Sequence, residues 1–182
     1  MGWQNLTKID SKQFRCGYCG FNVANDRGYF PDNSKGRLYI CPNCTKPTFF
    51  DGTSRQYPGV APGNEVQHLP PDLAHLYREA RNCCSVSAFT ASVLASRKML
   101  MNIAVQQGAK EGLKFIEYVE YLATNGFIPP NGKGWVDHIR RRGNEATHEI
   151  ALMTQADAEE LIAFTEMLLK FIYEFPSRVP GP

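Results

Sequence analysis

No run of about 18 uninterrupted apolar residues occurs in the 182-residue sequence, so no membrane-spanning helix is expected. Charge of one sign is also scarce. The 20 Lys and Arg nearly balance 18 Asp and Glu, leaving +2. On composition alone this argues against a highly basic nucleic-acid coat or a polybasic membrane anchor. Six cysteines in the whole chain are too few for a disulfide scaffold. Internal repeats and low-complexity tracts are missing. With 43% apolar and 21% charged residues, disorder and collagen-like structure are excluded. The opening Met1 to Lys8 has no apolar run of signal-peptide type. Leu6 stands where a myristoylation motif wants Ser or Thr. The expectation is a cytoplasmic protein without a membrane partner.

What is present is an asymmetry. Four of the six cysteines form two close pairs, Cys16-Gly17-Tyr18-Cys19 and Cys41-Pro42-Asn43-Cys44, with 21 residues between them. In a reducing compartment such pairs serve as metal ligands more often than as disulfides. Each C-x2-C turn aims two thiolates at one centre, and two turns complete a tetrahedral four-cysteine site. Gly17 and Gly20 permit the tight turn, and Pro42 fixes the second one. Structural zinc is expected, with a rubredoxin-like iron site and disulfides as the alternatives. A ribbon of this size buries little core, so the metal supplies folding energy. All four positions are filled by protein, which makes the site closed and structural.

The chain divides by character. Residues 1–52 alternate short β-favouring pieces, such as Arg37-Leu38-Tyr39-Ile40, with turn-rich stretches, and read as the zinc ribbon. Residues 53–70 hold Pro58, Gly59, Pro62, Gly63 and Pro70, and read as a linker or ordered connecting loop. Residues 71–176 carry helical periodicity, and 177–182 form a tail.

Five helices are expected in the helical part. The first runs from Asp72 to about Val86, with Leu73, Leu76, Ala80 and Cys83 recurring on one face. The second covers about Ala88 to Gln107, and the third about Lys110 to Thr124. The fourth starts near Gly134. The last opens with Thr154 as N-cap and Asp157 three residues on, and buries a stripe of Leu161, Ile162, Thr165, Leu168, Leu169 and Ile172. The fold class is therefore mainly α, with a small β ribbon in front.

Residues 1–70 contain 8 Lys and Arg against 5 Asp and Glu, whereas 71–182 contain 12 against 13. Lys8, Lys12, Arg15, Arg27, Lys35, Arg37 and Lys46 lie among Phe14, Tyr18, Tyr39, Phe49 and Phe50. Cations for phosphate and rings for base stacking suit nucleic acid, and packing of the ribbon core is the competing use for the rings. The pair Cys83-Cys84 sits inside a helix, where neighbouring side chains diverge, so a buried structural role is expected.

Chemistry concentrates in Trp135 to Glu149. A helix there places Arg141, Asn144, Glu145 and His148 on one face. Arg supplies a forked cation for phosphate, Asn a neutral hydrogen-bonding pair, and His a proton-transfer group near neutral pH. Such a set can hold an RNA phosphate and move a proton during 2′-hydroxyl attack without a metal. The competing uses are a solvated arginine patch and a buried or capping histidine.

The segment Leu76 to Asn82, together with Ile139-Arg140 and Gly143 to His148, resembles a widespread uncharacterised bacterial family grouped with the HEPN superfamily. A zinc ribbon in front resembles an arrangement that recurs in such proteins. The resemblance implies an up-and-down helical bundle that pairs its motif helices across a homodimer. It also implies metal-independent ribonuclease chemistry of an R-x4–6-H motif, used in defence or stress systems. His148 would then transfer the proton, and Arg142 or Arg141, with five or six residues intervening, would stabilise the phosphate. Asn144 would orient them. The common motif form is Arg-Asn-x3-His, and here Gly143 precedes Asn144 where that form has Arg. Two functions follow. One is a ribonuclease or RNA-binding effector whose ribbon recognises substrate or a protein partner. The other is a non-catalytic dimeric module that binds nucleic acid or protein.

Overall fold

The computed structural model describes residues 2–32, 35–129, 132, 134–136 and 152–179. The chain forms two compact units, 1–61 and 62–182.

The first unit is a five-stranded antiparallel sheet in sequential order. Its strands are β1 (Thr7–Arg15), β2 (Asn22–Tyr29), β3 (Arg37–Ile40), β4 (Pro47–Phe50) and β5 (Gln56–Tyr57). A register shift between Lys8 and Lys12 bends β1. Gly28 of β2 lies so close to the Leu38 carbonyl that no larger side chain fits there. One face of the sheet packs Phe14 and Tyr39 edge-on against Phe50 and tilted against each other, with centroids 5.4–5.8 Å apart, beside Ile9 and the buried Cys16 and Cys41. This aromatic trio stands in for the aliphatic core that so short a stretch cannot build.

In the second unit, helix α1 (Pro71–Ser85), α2 (Phe89–Gln106), α3 (Phe115–Thr124) and α4 (Gln155–Leu169) pack with α2 at the centre, touching the other three. Residues 134–136 are also helical. There Trp135 meets Phe164 edge-on at 5.4 Å. The core is aliphatic: Leu100, Ile103, Val119, Leu122, Ile162 and Leu168 are fully buried. Each such side chain contributes roughly 1.5–3 kcal/mol by leaving water. Helix α4 starts at the expected cap. Thr154 accepts from the Asp157 amide at 3.3 Å, and the Asp157 carboxylate accepts from the Thr154 amide at 2.8 Å. Leu161, Ile162, Thr165, Leu168 and Leu169 are buried and Ile172 is half-buried. The helix continues through a π-helical turn (Lys170–Glu174) into α5 (Phe175–Arg178). No described helix is long and apolar enough to cross a membrane.

Two helical expectations need correction. Helix α3 begins at Phe115, not near Lys110, because Gly108 and Gly112 both take positive φ and break the chain direction. The start is held by the Glu117 carboxylate, which accepts from the Lys114 amide at 2.6 Å. Helix α1 keeps Leu73 and Ala80 inward as expected, with the inward stripe turned toward Tyr77, Arg81 and Cys84. Tyr77, Arg81 and Cys84 are buried with Leu73 and Ala80, while Leu76 and Cys83 are half-buried. Polar partners pull that face round. Arg81 donates to the Pro62 and Gly63 carbonyls, and the Tyr77 hydroxyl donates to the Asn64 carbonyl at 3.0 Å. Residues 62–65 are thus hydrogen-bonded onto α1, and the Asn64 amide reaches Glu166 of α4 at 2.8 Å.

Candidate metal centre

Two loops of the same construction present the thiols. In the β1–β2 connection, the Gly20 amide donates to the Cys16 carbonyl and the Cys16 amide to the Phe21 carbonyl, both at 2.9 Å. In the β3–β4 connection, the Thr45 amide donates to the Cys41 carbonyl and the Cys41 amide to the Lys46 carbonyl, again at 2.9 Å. Both loops need a left-handed residue after the second cysteine. Gly20 supplies it at φ 72° and Thr45 at φ 58°. At Gly17 the reason for glycine is different: a side chain there would run into the Pro58 and Gly59 carbonyls.

The four sulfurs lie within 4.8 Å of one another. Cys16 Sγ is 3.7 Å from Cys44 Sγ, and Cys19 Sγ is 3.8 Å from Cys41 Sγ. A disulfide would bring two of them to about 2.05 Å. A tetrahedral ion with metal–sulfur bonds of about 2.3 Å puts its ligands about 3.8 Å apart. The spacing of these two pairs is that of ligands around an ion, and all six cysteines are free thiols.

The electrostatics agree. Burial raises the Cys16 and Cys44 thiols above their ordinary value. Burial pushes Cys19 up as well, but the Asn43 amide, the Phe21 backbone and the Cys44 and Cys16 thiols outweigh it and bring it down to about 6. The Cys19 sulfur is inclined to be a thiolate while Cys16 and Cys44 are inclined to keep their protons. Four thiolates in this volume repel, and only a cation at their centre lets all four ionise. The Tyr18 amide donates to Cys16 Sγ at 3.4 Å and the Asn43 side chain to Cys19 Sγ at 3.5 Å, which stabilises sulfur charge from outside. Asn43 is the residue here that the spacing did not reveal.

Of the residues singled out from sequence, Cys16, Cys19, Cys41 and Cys44 are brought together. Arg141, Arg142, Asn144 and His148 lie outside the described residues. In the helical unit Cys84 is buried and its thiol is raised to about 11, first by desolvation and then by Glu159. His68 and His75 are exposed. The ribbon aromatics differ in burial. Phe14, Tyr39 and Phe50 pack the core, whereas Tyr18 and Phe49 are exposed.

No curated protein and no solved structure matches the chain. A family described as a domain of unknown function, DUF4145, matches residues 78–180, more than half of the sequence and all but the start of the helical unit. The chain belongs to that family: a DUF4145 helical domain that follows a four-cysteine metal-type ribbon.

Proposed function

We propose that the protein is a metal-independent ribonuclease of the HEPN type, or an RNA-binding effector of that type, acting in a bacterial defence or stress system. The ribbon holds one structural zinc ion and serves substrate or partner recognition. The observation that carries this reading is the spacing of Arg141 and Arg142 to His148, with Asn144 between them, inside the stretch matched by the family. His148 accepts the 2′-hydroxyl proton as that oxygen attacks phosphorus, and the bond from phosphorus to the 5′-oxygen breaks, leaving a 2′,3′-cyclic phosphate and a 5′-oxygen that takes a proton from water. Arg142 or Arg141 stabilises the charge on the phosphate oxygens. The helical domain pairs in a homodimer, which sets two such motifs side by side. Zinc fits the ribbon because an all-cysteine tetrahedral set with every position filled is a structural donor set. That closure also separates the ion from the chemistry, since no position is left for water or substrate.

The second reading is a non-catalytic dimeric interaction module. Val86 and Leu94 favour it, being about three-fifths exposed apolar residues at the end of α1 and in α2. Incubating purified protein with total and defined RNA, beside His148→Ala and Arg142→Ala, separates the two. Cleavage by the parent that is lost in both variants supports the nuclease. An inert parent with unchanged variants leaves the interaction module. Gel filtration reports the dimer, and elemental analysis the zinc.

A further inference from the structure

The face of the sheet opposite the Phe14–Tyr39–Phe50 core is built differently from an ordinary solvated face. Residues directly opposite each other in antiparallel strands share a face. Tyr29 pairs with Leu38, Leu38 with Phe49, and Phe49 with Tyr57. These four side chains therefore form one row that crosses β2, β3, β4 and β5. Trp3 extends it, with its ring 6.3 Å from that of Tyr29. The Trp3 indole N–H donates to the Thr45 carbonyl at 2.7 Å, which fixes the ring in place. At the other end the Phe49 and Tyr57 rings are 6.3 Å apart and tilted by 35°. Trp3, Phe49 and Tyr57 are 43%, 38% and 40% exposed, so ring surface stands in water along the row.

Cations flank the rings. Lys8 and Arg27 are directly opposite each other across β1 and β2, both exposed. Strand alternation puts Arg27 on the same face as Tyr29, two residues on. Like charges at directly opposed positions destabilise a sheet. A fold that keeps this pair beside an aromatic row is arranged to meet negative charge. At the far end the Arg55 guanidinium lies 5.4 Å from the centre of the Tyr57 ring. In the turn before it, Asp51 accepts from the Thr53 hydroxyl, from the Thr53 and Arg55 amides and from the Tyr57 hydroxyl. Residues 1–61 carry 8 Lys and Arg against 4 Asp and Glu.

We propose that this face binds single-stranded nucleic acid. Unpaired bases stack on Trp3, Tyr29, Phe49 and Tyr57, while Lys8, Arg27 and Arg55 meet the phosphates. Every base has a π-face, so a row of rings reads no particular sequence but does require bases freed from a duplex. The flanking cations make binding fall as salt rises. An acidic peptide would satisfy the cations but leave the row of rings without partners, and a proline-rich peptide would do the reverse. Unpaired nucleic acid answers both. This surface rests on the proposed recognition role of the ribbon and gives it a ligand class, and it stands without the nuclease chemistry.

The test is fluorescence anisotropy of the full-length, metal-loaded protein with a labelled single-stranded oligodeoxynucleotide, which lacks the 2′-hydroxyl and survives any ribonuclease. Binding is expected to the single strand and to be at least tenfold weaker to the same sequence as a duplex. Phe49→Ala and Tyr57→Ala should each weaken it about tenfold, in line with the loss of one stacked base. Phe49→Tyr should keep it, and Lys8→Gln should lower the salt dependence. Phe171→Ala, an exposed ring in the helical unit, should change nothing. Cobalt substitution checks that each variant retains the four-thiolate site, so a misfolded variant is recognised and replaced by the milder Tyr57→Leu. Equal affinity for duplex, binding that ignores Phe49 and Tyr57, or preference for an acidic or proline-rich peptide would overturn the proposal. RNA cleavage with no binding at this face would sink it and spare the nuclease; binding with no cleavage would do the opposite.

Discussion

Arg81 reaches Glu65 at 2.6 Å from a buried position in α1, and its remaining donors bind the carbonyls of Pro62 at 2.7 Å and Gly63 at 3.0 Å. A planar guanidinium fork meets three acceptors in fixed directions, a geometry that the compact ammonium of a lysine does not reproduce. Arg81→Ala leaves two carbonyls without their donor. The helical unit is expected to lose about 2–4 kcal/mol, read by urea unfolding with far-UV circular dichroism. Arg81→Lys should recover only part of that. A variant as stable as the parent would show that residues 62–65 are not anchored through this side chain.

Gly63 is the second fastening of the same segment. It takes φ +72°, and a β-carbon on it would lie 2.8 Å from the Tyr77 hydroxyl and 2.9 Å from the Glu166 carboxylate. Gly63→Ala is expected to cost about 1–3 kcal/mol from backbone strain and crowding together. Tyr77→Phe removes one of the crowding atoms, so the double variant should lose less than the two single losses added. Strict additivity in that cycle would contradict the crowding.

Glu166 makes this corner sensitive to acid. Burial alone would raise its carboxyl. The Lys170 ammonium together with the Asn64 side chain and amide outweighs burial and holds it below its usual 4.5. Because the folded pKa is the lower one, this carboxylate contributes stability above its unfolded value. That contribution disappears as pH falls through the folded value. Thermal unfolding of the parent should therefore weaken on acidification, and Glu166→Gln should flatten that part of the profile. An identical acid limb in both proteins would rule the carboxylate out.

Metal removal should act on one unit. Structural zinc sites of this kind contribute roughly 10–16 kcal/mol of apparent binding free energy. Chelation, or Cys41→Ser at a fully buried ligand, is expected to unfold the sheet while the helical signal persists. Acid should release the ion, since protons compete for thiols that are raised by burial, as at Cys16 and Cys44. Elemental analysis should find about one zinc per chain before chelation and none after. A sheet that stays folded without metal would show that the aromatic core suffices.

The sequence by itself determined the parts in which chemistry is local. Two C-x2-C loops marked a metal-type site, and Thr154 with Asp157 marked the start of α4, because spacing within one turn decides both. Glycines at 108 and 112 carried the late start of α3, but single glycines do not announce their φ. Tertiary structure alone decided the rest. Which face of α1 turns inward depends on the Pro62 and Gly63 carbonyls, far off in sequence from the fork of Arg81. The row from Trp3 to Tyr57 depends on strand register, a chain of pairings that links Tyr29 to Leu38, Leu38 to Phe49 and Phe49 to Tyr57 and that no local periodicity encodes. Six cysteines in an otherwise average composition located the ribbon. Only the pairing of its strands showed that one side of it is core and the other an open aromatic face edged with cations.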